Sequence, residues 1–281
     1  MNFDIIILGS GPGGYVAAIR ASQLGLKTAI IEKENLGGIC LNWGCIPTKA
    51  LLKSAQVFDY IKHAQDFGIT VKDVNADFPN IINRSRDVAD GMSKGISFLL
   101  KKNKVEVIYG SGRLKKGNKV SVTTVEATTE YSAKHFIIAT GARSKELPNL
   151  LQDRKKIIGY REALTLAKPP KKMIIVGSGA IGVEFAYFYN VIGVDITIIE
   201  FMPNIVPIED LEISKQLQRS FKKSGIKILT KATVEKVDTS SDGCKVFIKG
   251  KKEEETIKCD LVLSAVGISA NIENLGLEEV G

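Results

Sequence analysis

One local pattern occurs twice in this sequence, and it restricts the fold more than any other feature of the chain. Each copy has a short apolar run, a GxGxxG loop, a helix-like stretch, a second apolar run and a closing glutamate. The first copy runs from Asp4 to Glu32 and the second from Met173 to Glu200. In both copies the glutamate follows the first glycine by 23 positions. A strand, a glycine turn and a helix in this order predict a dinucleotide-binding βαβ unit, so we expect two such units.

The three glycines of each loop have separate tasks. The first makes the turn, the second lets a pyrophosphate approach the backbone, and the third lets the helix pack closely on its strand. The N-terminus of the helix then presents unpaired N–H groups to the phosphates. The predicted cofactor-binding glycines are Gly9, Gly11 and Gly14 in the first copy and Gly177, Gly179 and Gly182 in the second. Glu32 and Glu200 are predicted to accept hydrogen bonds from ribose hydroxyls.

The residues after Glu200 predict which nicotinamide cofactor the second copy binds. A carboxylate repels the 2′-phosphate of NADP, which is usually held by an arginine. The next four residues, Phe201 to Asn204, include no cation. We therefore expect NAD(H) rather than NADP(H) at the second copy.

Two cysteines, Cys40 and Cys45, lie just after the first copy, in a stretch that ends in Pro-Thr-Lys. In an undistorted helix, residues five positions apart point about 140° away from each other, so a disulfide between them requires a break in the helix. Gly44 permits such a break. The pair is either a short-loop disulfide that exchanges readily or two buried reduced thiols. A nucleotide-binding unit beside it favours the redox interpretation.

The remaining cysteines and the histidines carry no motif. Cys244 and Cys259 stand apart among strand-like residues and are interpreted as buried or incidental thiols. Four cysteines in 281 residues argue against a secreted disulfide scaffold and favour a reducing, cytoplasmic location. No metal site is expected, because neither His63 nor His135 has cysteines at ligand spacing.

The charge and hydropathy patterns exclude two classes of partner. The formal net charge is +8, but the lysines occur in scattered groups such as Lys101-Lys102 and Lys155-Lys156. This is typical of a solvated surface and predicts no nucleic-acid binding. No run of about 18 apolar residues is present, so no membrane span is expected. The N-terminus shows no signal or transit pattern.

A family resemblance is carried by the segment GGICLNWGCIPTK, which lies between an N-terminal GSGPGG and a second GSGAIG. With these motifs the chain closely resembles the flavin disulfide oxidoreductases, and in particular the dihydrolipoamide-oxidising flavoproteins of 2-oxo-acid dehydrogenase complexes. The resemblance implies an α/β fold of two Rossmann-like three-layer domains, each with a small antiparallel excursion. It implies an FAD-binding domain with a redox disulfide at 1–146 and an NAD-binding domain at 147–266. Residues 267–281 would begin a return into the FAD domain.

The resemblance also implies roles for four side chains. Cys45 matches the thiol that lies against the flavin, and Cys40 matches the outer thiol that exchanges with substrate. Lys49 matches a lysine near flavin N5, and Glu184 matches its ion-pair partner. The implied reaction is oxidation of dihydrolipoyl groups by NAD+ through a Cys40–Cys45 disulfide and FAD.

Two further segments are similar to places where the family's chain crosses between domains. Thr140 and Gly141, in Ala-Thr-Gly, resemble the flavin-side crossover, and Gly267, in Ala-Val-Gly, resembles the return. The implied partners are the lipoyl domain and the acyltransferase core of a 2-oxo-acid dehydrogenase complex, and in complete family members a second copy of the chain.

The family pattern includes a further region that does not occur in this sequence, which ends at Gly281. That region holds a flavin-binding Gly-Asp motif and an interface domain whose histidine acts in the partner's active site. The expectation is therefore a truncated form with weakened FAD binding and impaired lipoamide turnover. Two alternatives stay open: a related glutathione- or mercuric-reductase-like enzyme, and a non-catalytic nucleotide-binding remnant.

Overall fold

The computed structural model describes residues 2–250 and 254–281. The strands are β1 (Asn2–Leu8), β2 (Thr28–Glu32), β3 (Glu106–Tyr109), β4 (Ser111–Lys115), β5 (Lys119–Thr123), β6 (Thr128–Ile138), β7 (Ala142–Ser144), β8 (Ile157–Ile158), β9 (Lys172–Val176), β10 (Asp195–Glu200), β11 (Lys227–Thr230), β12 (Thr233–Asp238), β13 (Cys244–Lys249), β14 (Glu254–Cys259), β15 (Leu261–Ser264) and β16 (Ile268–Ala270). The helices are α1 (Pro12–Gln23), α2 (Gly38–Asn42), α3 (Cys45–Lys62), α4 (Phe78–Lys102), α5 (Tyr160–Ala163), α6 (Ala180–Val191), α7 (Leu211–Lys223) and α8 (Leu277–Val280), with one 3₁₀ turn at Ala64–Phe67. No helix within these two ranges has both the length and the apolar character that crossing a membrane requires.

The chain divides into two compact units, and each contains one GxGxxG loop. The first unit comprises Met1–Pro47, Arg86–Arg143 and Ser269–Gly281, and the second comprises Thr48–Ser85 and Ser144–Ile268. Residues 48–85 thus belong to the unit that contains the second glycine loop, whereas the predicted boundaries include them in the first domain, 1–146. The assignment of one cofactor to each predicted domain stays a prediction.

The first unit is built on a six-stranded sheet in the order β3-β2-β1-β6-β5-β4. Strands β3, β2, β1 and β6 run parallel, and β5 and β4 continue the sheet antiparallel. On β1, Ile5 and Ile7 pack with residues of α1 and α4, while Ile6 and Leu8 pack with residues of β4 and β5. Both faces of β1 are therefore covered, which explains why it reads as an uninterrupted apolar run.

Strand β6 joins two elements that the sequence predicts separately. The predictions are an antiparallel strand at 128–132 and a buried strand at 135–139. In the structure β6 is continuous, because its first part pairs antiparallel with β5 and its second part pairs parallel with β1. The first part of β6, beside β5, is polar, and the last part, beside β1, is apolar and enters the core. The change from polar to apolar residues along β6 thus follows the change of neighbouring strand.

The second unit repeats the architecture with a five-stranded parallel sheet in the order β11-β10-β9-β15-β8. An antiparallel sheet in the order β12-β13-β14 packs on it. Ile174 and Ile199 of the parallel sheet share one core with Val234 and Val246 of the antiparallel sheet. Helix α6 contacts β9 and β10 and contributes the fully buried Tyr189. The predicted α/β fold of two three-layer units, each with an antiparallel excursion, is confirmed.

Candidate functional site

The glycine turn of the first unit is fixed by close backbone approach. Gly9 has φ +97°, and a Cβ there would lie 2.3 Å from the carbonyl oxygen of Ala139. A Cβ at Gly14 would lie 1.8 Å from the carbonyl oxygen of Gly9, so α1 packs on the turn only because position 14 is glycine. A Cβ at Gly11, by contrast, would have no neighbour within 4 Å in residues 2–250 and 254–281. The second glycine therefore faces open space, as a pyrophosphate site requires.

The turn of the second unit has the same geometry. Gly177 has φ +98°, and its Cβ would lie 2.3 Å from the carbonyl oxygen of Ala265. A Cβ at Gly182 would lie 2.1 Å from Gly177 O, and one at Gly179 would meet nothing within 4 Å. Among the residues that the structure describes, none caps the N-terminus of α1 or α6 with its side chain. Each turn thus combines open space with helix N–H groups that face it, and both fit a dinucleotide pyrophosphate.

The closing glutamates bind back to the glycine turns. Glu32 Oε2 accepts hydrogen bonds from Ser10 N at 2.9 Å and Ser10 Oγ at 2.5 Å. Glu200 Oε2 accepts from Ser178 N at 2.8 Å and Ser178 Oγ at 2.5 Å. Both carboxylates are buried. Each acid therefore joins the end of the second strand to the turn after the first, and its contact with a ribose stays a prediction. The two serines were missed, although each lies between the first two glycines of its loop.

The space around the glycines predicts different effects for two adjacent alanine substitutions. Gly14→Ala would place a methyl group against a backbone oxygen, and we expect a loss of at least about 3 kcal/mol in the free energy of unfolding. Gly13→Ala is the matched control, because it lies in the same helix turn and its Cβ would have no neighbour within 4 Å. That control should stabilise the helix by up to about 1 kcal/mol. Urea unfolding followed by circular dichroism measures both, and equal effects would contradict the close-approach interpretation.

The two predicted crossover segments leave their strands in similar ways. Gly141 and Gly267 have φ of +71° and +113°. Thr140 Oγ1 donates to Asn271 O at 2.6 Å, Asn271 Nδ2 donates to Thr140 O at 2.9 Å, and Asn271 N donates to Gly141 O at 2.9 Å. Gly267 O accepts from Lys145 N at 3.0 Å. Thr140 and Gly141 are thus held by Asn271, a residue that no motif in the sequence singles out.

The helix break predicted between the two cysteines is present. Cys40 lies in α2, Cys45 begins α3, and Trp43 and Gly44 separate the helices. A Cβ at Gly44 would lie 3.1 Å from Ile39 O and 3.4 Å from Cys40 Cα, so the chain folds back closely on Cys40. Cys40 is half-buried and Cys45 is exposed. The alternative of two buried thiols does not fit Cys45.

The structure brings Lys49 and Glu184 together within the second unit. Lys49 Nζ lies 2.6 Å from Glu184 Oε1, and the two side chains are 60% and 26% exposed. Cys45 and Lys49 are four residues apart on α3, so both project from one face of the helix. An exposed ion pair of this kind contributes about 0–1 kcal/mol to stability. This pair was predicted only from the family resemblance, and its catalytic role stays a prediction.

A family-wide sequence profile of the pyridine nucleotide-disulphide oxidoreductases matches residues 3–281. This chain belongs to that family. Pyridine nucleotide-disulphide oxidoreductases of the dihydrolipoyl dehydrogenase type use FAD and NAD(H). The overall fold matches the family's dinucleotide-binding fold, and contact of the two glycine turns with these cofactors stays a prediction.

Several curated relatives in the pyridine nucleotide-disulphide oxidoreductase family carry the name dihydrolipoyl dehydrogenase. The protein from Rhizobium etli is 48% identical across 100% of this chain and 62% of its own length. The protein from Zymomonas mobilis is 46% identical across 100% of this chain and 60% of its own. A mitochondrial relative from Arabidopsis thaliana is 43% identical across 99% and 56%. The chain thus spans about three fifths of the length of these relatives.

Solved structures of family members agree with the fold. LpdA from Mycobacterium tuberculosis superposes with a TM-score of 0.90 at 28% identity, covering 99% of this chain and 61% of that one. The HOCl-induced flavoprotein disulfide reductase RclA from Escherichia coli, in a Cu(II) complex, has a TM-score of 0.85 at 25% identity, covering 100% and 60%. The likeness extends through both units of this chain.

One cation near the second dinucleotide fold was missed in the sequence. Lys231 N donates a hydrogen bond to Met202 O at 3.1 Å, and Ala232 N donates to Glu200 O at 3.0 Å. The segment after Glu200 contains no cation, but the backbone of a lysine from the turn after β11 lies beside it. Lys231 is exposed. It is therefore the residue to test for contact with a cofactor phosphate.

Proposed function

We propose that this chain holds the FAD and NAD sites and the redox cysteine pair of a flavoprotein that oxidises dihydrolipoyl groups with NAD+. The observation that carries the proposal is the order of groups along α3. Cys45 starts the helix beyond a sharp break, and Lys49 follows one turn later with its ammonium bonded to Glu184. Glu184 in turn lies on α6, the helix that opens at the second glycine turn.

The residues present fit the two cofactors. FAD is assigned to Gly9, Gly11, Gly14 and Glu32, with Thr140, Gly141 and Gly267 at the crossovers, and NAD to Gly177, Gly179, Gly182 and Glu200. Support comes from the open space at Gly11 and Gly179 and from the uncapped helices that follow. FAD, when bound, supplies two-electron exchange between a thiol pair and a nicotinamide. The predicted domains 1–146 and 147–266 are proposed on the same basis.

Thiol–disulfide exchange is the part of the reaction that the chain's own side chains perform. With the pair oxidised, a substrate thiolate attacks Cys40 Sγ, a mixed disulfide forms and Cys45 leaves as a thiolate. The second substrate thiol loses its proton and attacks the mixed disulfide, which frees Cys40 and closes the substrate disulfide. Two electrons and two protons leave the substrate. The Cys45 sulfur that takes the negative charge sits at the N-terminus of an 18-residue helix, whose dipole favours an anion there.

Lys49 is proposed to place a fixed positive charge one helix turn beyond Cys45. Its bond to Glu184 restricts the ammonium to one orientation, which matters because the lysine side chain is otherwise flexible and mostly exposed. A cation held there stabilises negative charge that develops beside it during electron transfer. Glu184 is then a positioning residue.

The substrate and partners rest on the named relatives. A lipoyl domain attached to the acyltransferase core of a 2-oxo-acid dehydrogenase complex is the proposed source of the dithiol. A second copy of the chain as partner and a cytoplasmic location stay predictions. The likeness to RclA keeps a disulfide reductase as the second candidate, since that structure also covers the whole chain.

Four reductants separate these possibilities on the FAD-loaded, oxidised chain. We expect NADH and dihydrolipoamide to reduce it and to expose two thiols. NADPH should react at least about 100-fold more slowly, because Glu200 opposes a 2′-phosphate. Reduced glutathione should react slowly as well. Stopped-flow absorbance and thiol counting measure both effects.

The outcomes differ for each alternative. Fast reduction by NADPH and glutathione would favour the disulfide reductase, and a chain that takes up no flavin would favour a nucleotide-binding remnant.

Phe201→Arg adds a cation at an exposed position of the segment after Glu200 and should lower the ratio of the reduction rate with NADH to that with NADPH. Ile208→Arg, also exposed but outside that segment, is the matched control. Lys231→Ala should abolish any residual use of NADPH if that lysine contacts the phosphate.

A further inference from the structure

A second cysteine pair lies in the three-stranded sheet of the second unit. Cys244 begins β13, Cys259 ends β14, and the two are directly opposite in the antiparallel register. Opposite residues of antiparallel strands project from the same face with Cα atoms about 4.5 or 5.5 Å apart. A disulfide spans Cα separations of about 4.4–6.8 Å. The predicted burial of both thiols is confirmed at 2% and 6% exposure, but the register gives them a partner that the sequence did not show.

The two thiols are chemically unequal. Interaction with the Cys259 side chain lowers the pKa of Cys244, whose sulfur also lies 3.8 Å from Lys156 O and 3.9 Å from Asp260 O. Interaction with Cys244, together with burial, raises the pKa of Cys259. A thiol–disulfide exchange needs one sulfur that ionises first and a second that resolves the mixed disulfide. Cys244 fits the attacking role and Cys259 the resolving one.

A pocket of about 530 Å³ reaches both sulfur-bearing residues. Four lysines and two aspartates are among its lining residues: Lys171, Lys172, Lys245, Lys258, Asp242 and Asp260. The excess of positive charge attracts small anions to the mouth of the pocket. Cys244 and Cys259 both line this pocket, although each is almost fully buried and packs in the core of the second unit.

We propose that Cys244 and Cys259 form a second thiol–disulfide exchange site, whose reagent is a small disulfide bearing carboxylates. The Cys244 thiolate attacks one sulfur of the reagent, the reagent S–S bond breaks, and one reagent thiolate leaves. Cys259 gives up its proton and attacks Cys244 Sγ, which expels the second reagent thiolate. The protein dithiol loses two electrons and two protons to become a cross-strand disulfide, and the reagent disulfide becomes two thiols.

Oxidised glutathione is the probe, and a chain carrying Cys40→Ser and Cys45→Ser is the background. Only Cys244 and Cys259 then remain. We expect both thiols to disappear together, the mass to fall by two hydrogen atoms and peptide mapping to recover a linked Cys244–Cys259 peptide. Adding Cys259→Ser should leave one glutathione attached at Cys244. Adding Cys244→Ser instead should slow the reaction at Cys259 at least about tenfold.

Charge provides an independent arm of the experiment. Lys258→Gln and Lys171→Gln should slow the reaction with oxidised glutathione, whereas Lys236→Gln, an exposed lysine of β12 outside the pocket, should not. The cationic disulfide cystamine should react about tenfold more slowly than oxidised glutathione at low salt. Mapping of the unsubstituted chain after oxidation serves if the background variant does not fold.

Three results would overturn the proposal. In the first, the folded protein keeps both thiols in oxidised glutathione while the urea-unfolded protein loses them. In the second, glutathione stays attached to the chain that has both cysteines, and in the third, Cys259 reacts faster than Cys244. In the Cys40→Ser, Cys45→Ser background none of these outcomes bears on the proposed role of Cys40 and Cys45, because that chain lacks both sulfur atoms.

Discussion

The Cys45→Ser substitution should lower the rate of electron transfer from NADH to the cysteine pair by at least about 10³-fold. The serine oxygen cannot form the disulfide with Cys40, so no two-electron acceptor remains at the break between α2 and α3. The measurement starts from the FAD-loaded, oxidised chain. NADH is added, new thiols are alkylated, and the labelled peptides are identified by mass. The unsubstituted chain should gain label at Cys40 and Cys45 together.

The controls for Cys45→Ser test chemistry and fold separately. Cys45 is exposed and serine is nearly isosteric, so the unfolding free energy should change by no more than about 0.5 kcal/mol. Cys244→Ser removes a buried thiol of the second unit and should leave NADH-dependent labelling of Cys40 and Cys45 intact. NADH-dependent appearance of a thiol at Cys40 in the Cys45→Ser chain would refute the assignment.

The sequence predicted the parts of this site that depend on neighbouring residues. The glycine turns are local, because each is set by backbone conformation and a helix start within six positions. Gly44 was likewise a local signal, since a residue without Cβ is what permits a close return of the chain on Cys40. The common spacing to Glu32 and Glu200 was readable because the strand, turn and helix between them have fixed lengths.

The contacts that were not predicted join residues far apart in the chain. Asn271 holds Thr140 across 131 positions, and no propensity or period of 2 or 3.6 carries such information. Pairing of Cys244 with Cys259 depends on the register of two strands, which a shift of one residue would destroy. Lys49 and Glu184 are 135 positions apart and were matched only because a family pattern already related them. Long-range pairing is decided by the sheet order, which a single sequence leaves open.

The Lys49→Met substitution should separate catalysis from stability. Because the Lys49–Glu184 pair is largely exposed, we expect the unfolding free energy to change by less than about 1 kcal/mol. Electron transfer from NADH to the cysteine pair should nevertheless slow by about 10²-fold, the usual effect of removing one fixed charge beside a reacting group. Stopped-flow reduction and urea unfolding of the same FAD-loaded sample give both quantities.

A matched control lies one turn further along the same helix. Lys53→Met removes an exposed lysine of α3 that bonds Gln56 instead of Glu184, and should leave the rate within about twofold. Glu184→Gln keeps Lys49 but weakens the bond that orients it, so this variant should slow reduction by NADH less than Lys49→Met does. In a Lys49→Met chain, adding Glu184→Gln should lower the rate of reduction little further. If Lys49→Met and Lys53→Met slow the reduction by NADH equally, the rate depends on the total positive charge of α3. The oriented ammonium one turn beyond Cys45 would then have no special role.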